Sequence, residues 1–111
     1  MEIEERTEGT TVVVSLNGRL DGVTAPDLEV KIAGIVDRGD VRVVLDCTDM
    51  IYVSSTGLRA LLVSARNCQQ EGGKMAIAAL KPECKSVMEM SGFLSIIDCH
   101  ETSEAAVAAL A

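Results

Sequence analysis

The segment Met50-Ile51-Tyr52-Val53-Ser54-Ser55-Thr56-Gly57-Leu58 constrains this chain more than any other. A short apolar run stops at three hydroxyl residues and a glycine. A helical apolar stripe follows at once, with Leu58, Leu61, Leu62 and Ala65 spaced for one face. The junction carries chemistry as well as topology. The first backbone N–H groups of a helix lack intrahelical partners, and the helix dipole is positive there. Ser54, Ser55 and Thr56 therefore stand where a hydroxyl can cap the helix and where a phosphate is tolerated. On spacing alone the stretch reads either as a well-capped helix and nothing more, or as an anion-accepting site.

The rest of the chain alternates strand and helix. Ile3 to Thr7 is weakly strand-like and Glu8-Gly9 can turn the chain. Val12, Val14 and Leu16 then alternate with Val13, Ser15 and Asn17 at a strand period, and Asn17-Gly18 closes that strand. Thr24-Ala25-Pro26-Asp27 starts a helix, with a threonine cap and proline in the first turn; Leu28, Ile32, Ile35 and Val36 form its buried stripe and Gly39 stops it. Val41 to Leu45 reads as a strand buried on both faces. The helix after the hydroxyl cluster ends at Gly72-Gly73. Met75, Ile77 and Ala79 predict another strand, Pro82 a short helix with Val87 and Met90 inward, and Ile96-Ile97 a short final strand. Thr102-Ser103-Glu104 opens an alanine-rich helix carrying Val107 and Leu110. This order predicts an α/β fold: one domain over residues 1–111, with a mixed, mostly parallel sheet, an antiparallel N-terminal hairpin, right-handed crossovers and packed helices.

Composition removes several function classes. A net charge of −7 argues against nucleic acid and against charge-driven binding to anionic lipid. Tyr52 and Phe93 are the only aromatics, too few to stack on bases. The chain has no charged-then-apolar leader and no apolar run of membrane-spanning length, so it reads as cytoplasmic. Cys47, Cys68, Cys84 and Cys99 form no Cys-x-x-Cys, which points to reduced, mostly buried thiols rather than disulfides or zinc. His100 stands beside Cys99 and Glu101 with too few ligands at usable spacing for a metal, and no cofactor is expected. Ser55, Asp98 and His100 are the residue types of acyl transfer, yet Val53-Ser54-Ser55-Thr56-Gly57 lacks the leading glycine of a nucleophile elbow. No Walker loop is present, and the aspartates do not cluster as in a phosphoryl-accepting receiver. The expectation is a protein that does no catalysis of its own.

Several short motifs occur in order. Gly18-Arg19-Leu20-Asp21 is followed by Thr24-Ala25. Ser55-Thr56-Gly57-Leu58 comes next behind Tyr52-Val53, then Gly72-Gly73 before a strand, then Met90-Ser91-Gly92-Phe93. Together they resemble the anti-sigma factor antagonists, small bacterial STAS domains whose signature reads approximately Asp-Ser-Ser/Thr-Gly-Leu after an apolar strand. The resemblance covers nearly the whole chain. It implies that Ser55 is phosphorylated, and that the unmodified form captures an anti-sigma factor with serine kinase activity and frees a sigma factor. ATP then belongs to the partner, a phosphatase can reset the switch, and the free protein is a monomer or weak dimer. Asp21, Ser54, Thr56, Gly57 and Arg59 would form the partner-binding surface, with Met50 in an apolar docking patch. Each residue also has a plainer role: Ser55 as a first-turn residue, Asp21 as a turn aspartate accepting backbone N–H bonds, Arg59 as a solvated helix residue, Met50 and Phe93-Leu94 as packing, and Glu2 to Glu5 as a solvated strand edge.

The chain departs from the signature once, with Ser54 where the family has aspartate. Serine caps a helix nearly as well, to within a few tenths of a kcal/mol. The exchange does remove a carboxylate that a docking kinase could read. An alternative role uses the same helix face without a phospho-switch, as a STAS subunit of a lipid-transport ATPase or of a sensory scaffold assembly.

Overall fold

The computed structural model describes residues 1–111. Two strands open the chain as an antiparallel hairpin, β1 (Glu2–Glu8) and β2 (Thr11–Leu20). They are followed by α1 (Ala25–Asp37), β3 (Arg42–Val53), α2 (Ser55–Gln70), β4 (Lys74–Ala78), α3 (Pro82–Met90), a 3-10 turn (Phe93–Ser95), β5 (Cys99–His100) and α4 (Ser103–Leu110). The sheet order is β1-β2-β3-β4-β5, and every pairing after the hairpin is parallel. The expected α/β architecture is therefore present, a mixed, mostly parallel sheet with packed helices.

Strand alternation divides the apolar residues between two faces. Val12, Val14, Leu16, Val43, Leu45, Met75 and Ile77 pack under α1, α2 and α3, whose contributions include Leu28, Ile32, Leu61, Ala65, Cys84 and Met88. Val13, Val44, Ala76 and Ala78 face the other way, where Ala106 and Leu110 of α4 cover them. The small side chains of β4 on that face let a helix of eight residues sit close. At the start of β4, a Cβ on Gly73 would lie 1.9 Å from the Val41 carbonyl oxygen, so only glycine passes there.

Several expectations need correction. Asn17-Gly18 does not close β2, which continues to Leu20 alongside β3. Val41 to Leu45 and the apolar run before Ser54 are one strand of 12 residues. The register with β2 steps from Ser15↔Asp46 to Asn17↔Asp49 and from Gly18↔Met50 to Arg19↔Tyr52, so β3 carries one extra residue at each of two bulges. Each bulge reverses the alternation, which is why Cys47, Met50 and Val53, three apart, all reach the same core. In α3 the inward residues are Cys84 and Met88, while Val87 and Met90 are exposed. A nine-residue helix buries one narrow line, and the (i, i+4) pair of a small thiol and a flexible thioether fills it. Finally, Ile96 and Ile97 are not strand. The turn begun by Gly92 (φ 76°) drives Phe93 and Ile97 into the core, turns Ile96 outward and delays β5 to Cys99.

The acidic edge strand is only partly solvated. Glu2 and Glu4 face solvent, but Glu5 turns onto α1, where its carboxylate meets Lys31 Nζ at 2.7 Å and an Arg38 guanidinium nitrogen at 2.6 Å. Arg38 and Lys31, in that order, pull the Glu5 carboxyl from 4.5 down to about 2. A folded value below the unfolded one gives stability that is present above pH 4.5 and lost as the pH falls towards 2. The cations are partly exposed, so solvent screening limits the effect to about 1 kcal/mol at most. Urea titrations should show Glu5→Gln losing less stability than wild type between pH 4.5 and 2; equal slopes would mean that solvent screens the cluster out.

Candidate functional site

β3 outruns its neighbour. It pairs with β4 only from Arg42 to Asp46, and its last residues pair with β2 alone. The flank left free by β4 is filled by α3, whose Cys84 thiol points at the Met50 carbonyl at 3.8 Å. The hydroxyl cluster thus sits at a projecting tip where β2 and β3 end together. There the Ser54 N–H donates to the Leu20 carbonyl at 2.9 Å. Ser54 is extended (φ −90°, ψ 173°), its Oγ accepts from the Gly57 N–H at 3.0 Å, and its carbonyl accepts from the Leu58 N–H at 2.8 Å. It is the N-cap of α2. Gly57 is buried against the same carbonyl, and a Cβ there would lie 2.5 Å from the Leu20 oxygen.

The three hydroxyls consequently differ. Ser54 is committed to the cap and half-buried. Ser55 and Thr56, the first two residues of α2, are exposed, and neither side chain has a hydrogen-bond partner in the fold. The helix end they occupy is electrostatically bare. α1, α3 and α4 carry Asp27, Glu83 and Glu104 in their first turns, whereas α2 carries no acid there. No acid of its own first turn offsets its dipole.

Asp21 comes to the same place. A Cβ on Gly22 would lie 4.0 Å from the Thr56 methyl, so the Asp21 turn flanks the start of α2. Asp21 Oδ1 accepts from the Val23 N–H at 3.0 Å and the Thr24 N–H at 3.2 Å. Those two bonds, aided by the Thr24 hydroxyl and by Arg19 at 3.7 Å, hold its carboxyl below the usual aspartate range. Thr24 occupies the cap position of α1 without capping it. Its hydroxyl bonds back into the turn, donating to the Arg19 carbonyl at 2.8 Å and accepting from the Asp21 N–H at 3.0 Å. Arg59 is exposed on α2 with no ion-pair partner. Met50 is fully buried, so it is core and not docking surface. Phe93 is likewise buried.

Two further features of the tip escaped the sequence. Val23 is 86% exposed in the Asp21 turn, and the Arg19 guanidinium lies 4.1 Å above the half-exposed Tyr52 ring. A valine between Gly22 and Thr24, outside any periodic stripe, is the signal for the first. The second needs the bulged register, which sets Arg19 opposite Tyr52. Elsewhere, a concavity of about 690 Å³ at the ends of β4 and β5 is lined by Lys85, Asp98 and His100 but not by Ser55, so the residue types for acyl transfer do not meet. Burial pushes all four thiols up, Cys68 to about 11, which leaves them weak nucleophiles at neutral pH.

Cap and close approach are separable by substitution. Ser54→Ala should cost about 1 kcal/mol in urea unfolding, while Ser54→Asp should hold wild-type stability. Gly57→Ala should cost about 1–3 kcal/mol, because backbone must move to admit the methyl. A neutral Ser54→Ala would show that the Gly57 N–H has no need of the serine.

Comparison with known proteins gives a consistent result. The STAS domain family matches residues 2–106. BtrV of Bordetella bronchiseptica, named as a candidate anti-sigma factor antagonist, is 41% identical over 98 residues, covering 88% of this chain and 84% of BtrV. Among solved structures, a candidate anti-sigma factor antagonist from Thermotoga maritima superposes with a TM-score of 0.91 at 15% identity, covering 97% of this chain and 93% of that one. The Bacillus cell fate determinant SpoIIAA in its phosphorylated form superposes with a TM-score of 0.75 at 20% identity, over 99% and 100% of the two chains.

Proposed function

The chain belongs to the STAS domain family, and from that premise we propose that it is an anti-sigma factor antagonist switched by phosphorylation of Ser55. The observation that carries this reading is the division of labour among the hydroxyls. Ser54 holds the helix, and Ser55 is left exposed and unbonded at an uncompensated positive helix end. BtrV supports the role by its name and SpoIIAA supports the modification, since a protein of the same fold exists in a phosphorylated form.

In the unmodified state an anti-sigma factor with serine kinase activity docks on the tip and releases its sigma factor. Asp21, Ser54, Thr56, Gly57 and Arg59 form the contact surface, extended by Val23 and Tyr52. Asp21 acts chiefly by holding its turn against α2. Gly57 contributes the close approach that sets the height of the helix end. Serine at position 54 keeps the cap, so the missing aspartate leaves the acceptor in place. The kinase brings ATP, and its transfer of a phosphoryl group adds roughly two negative charges at Ser55. The helix end tolerates that charge, so the fold persists. A docked partner would have to desolvate it, at roughly 2–4 kcal/mol or about 30- to 1000-fold in affinity. A phosphatase returns the protein to the binding state. These partners place the protein in the cytoplasm.

Tagged wild type, Ser55→Ala and Ser55→Glu, used as baits in the native lysate, test the proposal. A small ATP-dependent kinase should be held by Ser55→Ala and lost with Ser55→Glu, and Ser55→Glu should melt close to wild type. Equal retention by all three of a transporter or scaffold subunit would make the protein a static adaptor. Unfolding of Ser55→Glu would sink the surface-switch mechanism.

A further inference from the structure

α2 stands apart in the charge map of this chain. The protein has 17 acidic residues against 10 basic ones, yet no carboxylate occurs from Met50 to Gln70. Within that stretch lie Arg59 and Arg66. Five of the other cations, Arg6, Arg19, Lys31, Arg38 and Lys74, are each held by an acid between 2.6 and 3.7 Å away. Arg59 has none. It is exposed, and it follows the exposed Ser55 by four residues on a continuous helix.

Residues at that spacing are neighbours on a helix surface, with Cβ atoms about 5–6 Å apart, and an anion on the N-terminal side of a cation is the favoured order. A guanidinium can also grip two phosphoryl oxygens at once. We propose that the phosphoryl group on Ser55 is held by Arg59 of the same helix. Modification then does two things. It adds a dianion, and it withdraws the one cation in the first two turns of α2 from the surface offered to a partner. Arg59 is a positioning residue that fixes where the new charge lies. Arg19, the other cation of the tip, is already engaged by Asp21 and the Tyr52 ring.

The inference rests on Ser55 being the acceptor, and its test is made independent of any kinase. Phosphoserine is encoded at position 55 during synthesis, and its second ionisation is followed by phosphorus NMR in wild type, Arg59→Gln and Arg19→Gln. The dipole acts on all three alike, so differences report the arginines. The phosphoserine in wild type should titrate about half a pH unit or more below that in Arg59→Gln, a roughly threefold change in proton affinity, with Arg19→Gln matching wild type. Coincident titrations of wild type and Arg59→Gln overturn the proposal, as does a change confined to Arg19→Gln. A kinase absent from the lysate would fault the partner reading and leave this result standing.

Discussion

The carbonyl of Leu20 is the point on which the tip is built. It ends β2, accepts the N–H that begins the turn out of β3, and forms the wall against which Gly57 lies. Two strand ends and a helix start are thereby tied within one residue's reach. The Asp21 turn inherits its position from the same place, because Asp21 follows directly and its carboxylate accepts the N–H groups of Val23 and Thr24. A bulkier residue at position 57 would separate the helix from this carbonyl and dissolve the relation between Ser55 and its surroundings. The exposed chemistry is therefore positioned by backbone groups, which explains how a surface of small hydroxyl side chains can have a defined shape.

Charge is distributed to the same end. Acids crowd β1 and the turn after α1, where Glu5, Lys31, Arg38 and Asp40 neutralise one another in a row. From Met50 through the whole of α2 there is no carboxylate, and the one at the tip, Asp21, is turned onto the N–H groups of its own turn. A chain that is strongly negative as a whole thus presents one helix whose own charged side chains, Arg59 and Arg66, are both positive. In the switch proposed above, a single phosphoryl group on Ser55 would reverse the sign at the start of that helix without touching the core.

Much of this was legible from residues alone. The strand-to-helix junction, the cap at its mouth, the buried stripe of α1 and the antiparallel opening all follow from periodicity and capping chemistry, and the ordered motifs carried the family. What failed had a physical cause in each case. The length of β3 was hidden because bulges break the alternation by which strands are recognised. The inward line of α3 was misplaced because Val87 and Met90 are as plausible an apolar pair as Cys84 and Met88, and only the flank left open by β4 decides between them. The adjacent isoleucines at 96 and 97 imitate a strand, but a left-handed glycine upstream sends the chain into a tight turn. Thr24 shows that a good capping residue can be recruited elsewhere when a nearer turn claims its hydroxyl.

The paired bulges give β3 something like a reading frame. Each extra residue shifts by one the sequence positions that face the core after it, and two of them restore the original parity. Loss of the extra residue at a bulge, Thr48 for example, would leave one residue opposite one, with Cys47 and Met50 still reaching the same core. A deletion elsewhere in the strand has no spare residue to absorb it and would turn every later side chain to the other face. The bulges are thus the two places where this strand can lose a residue while the hydroxyls at its end keep their facing.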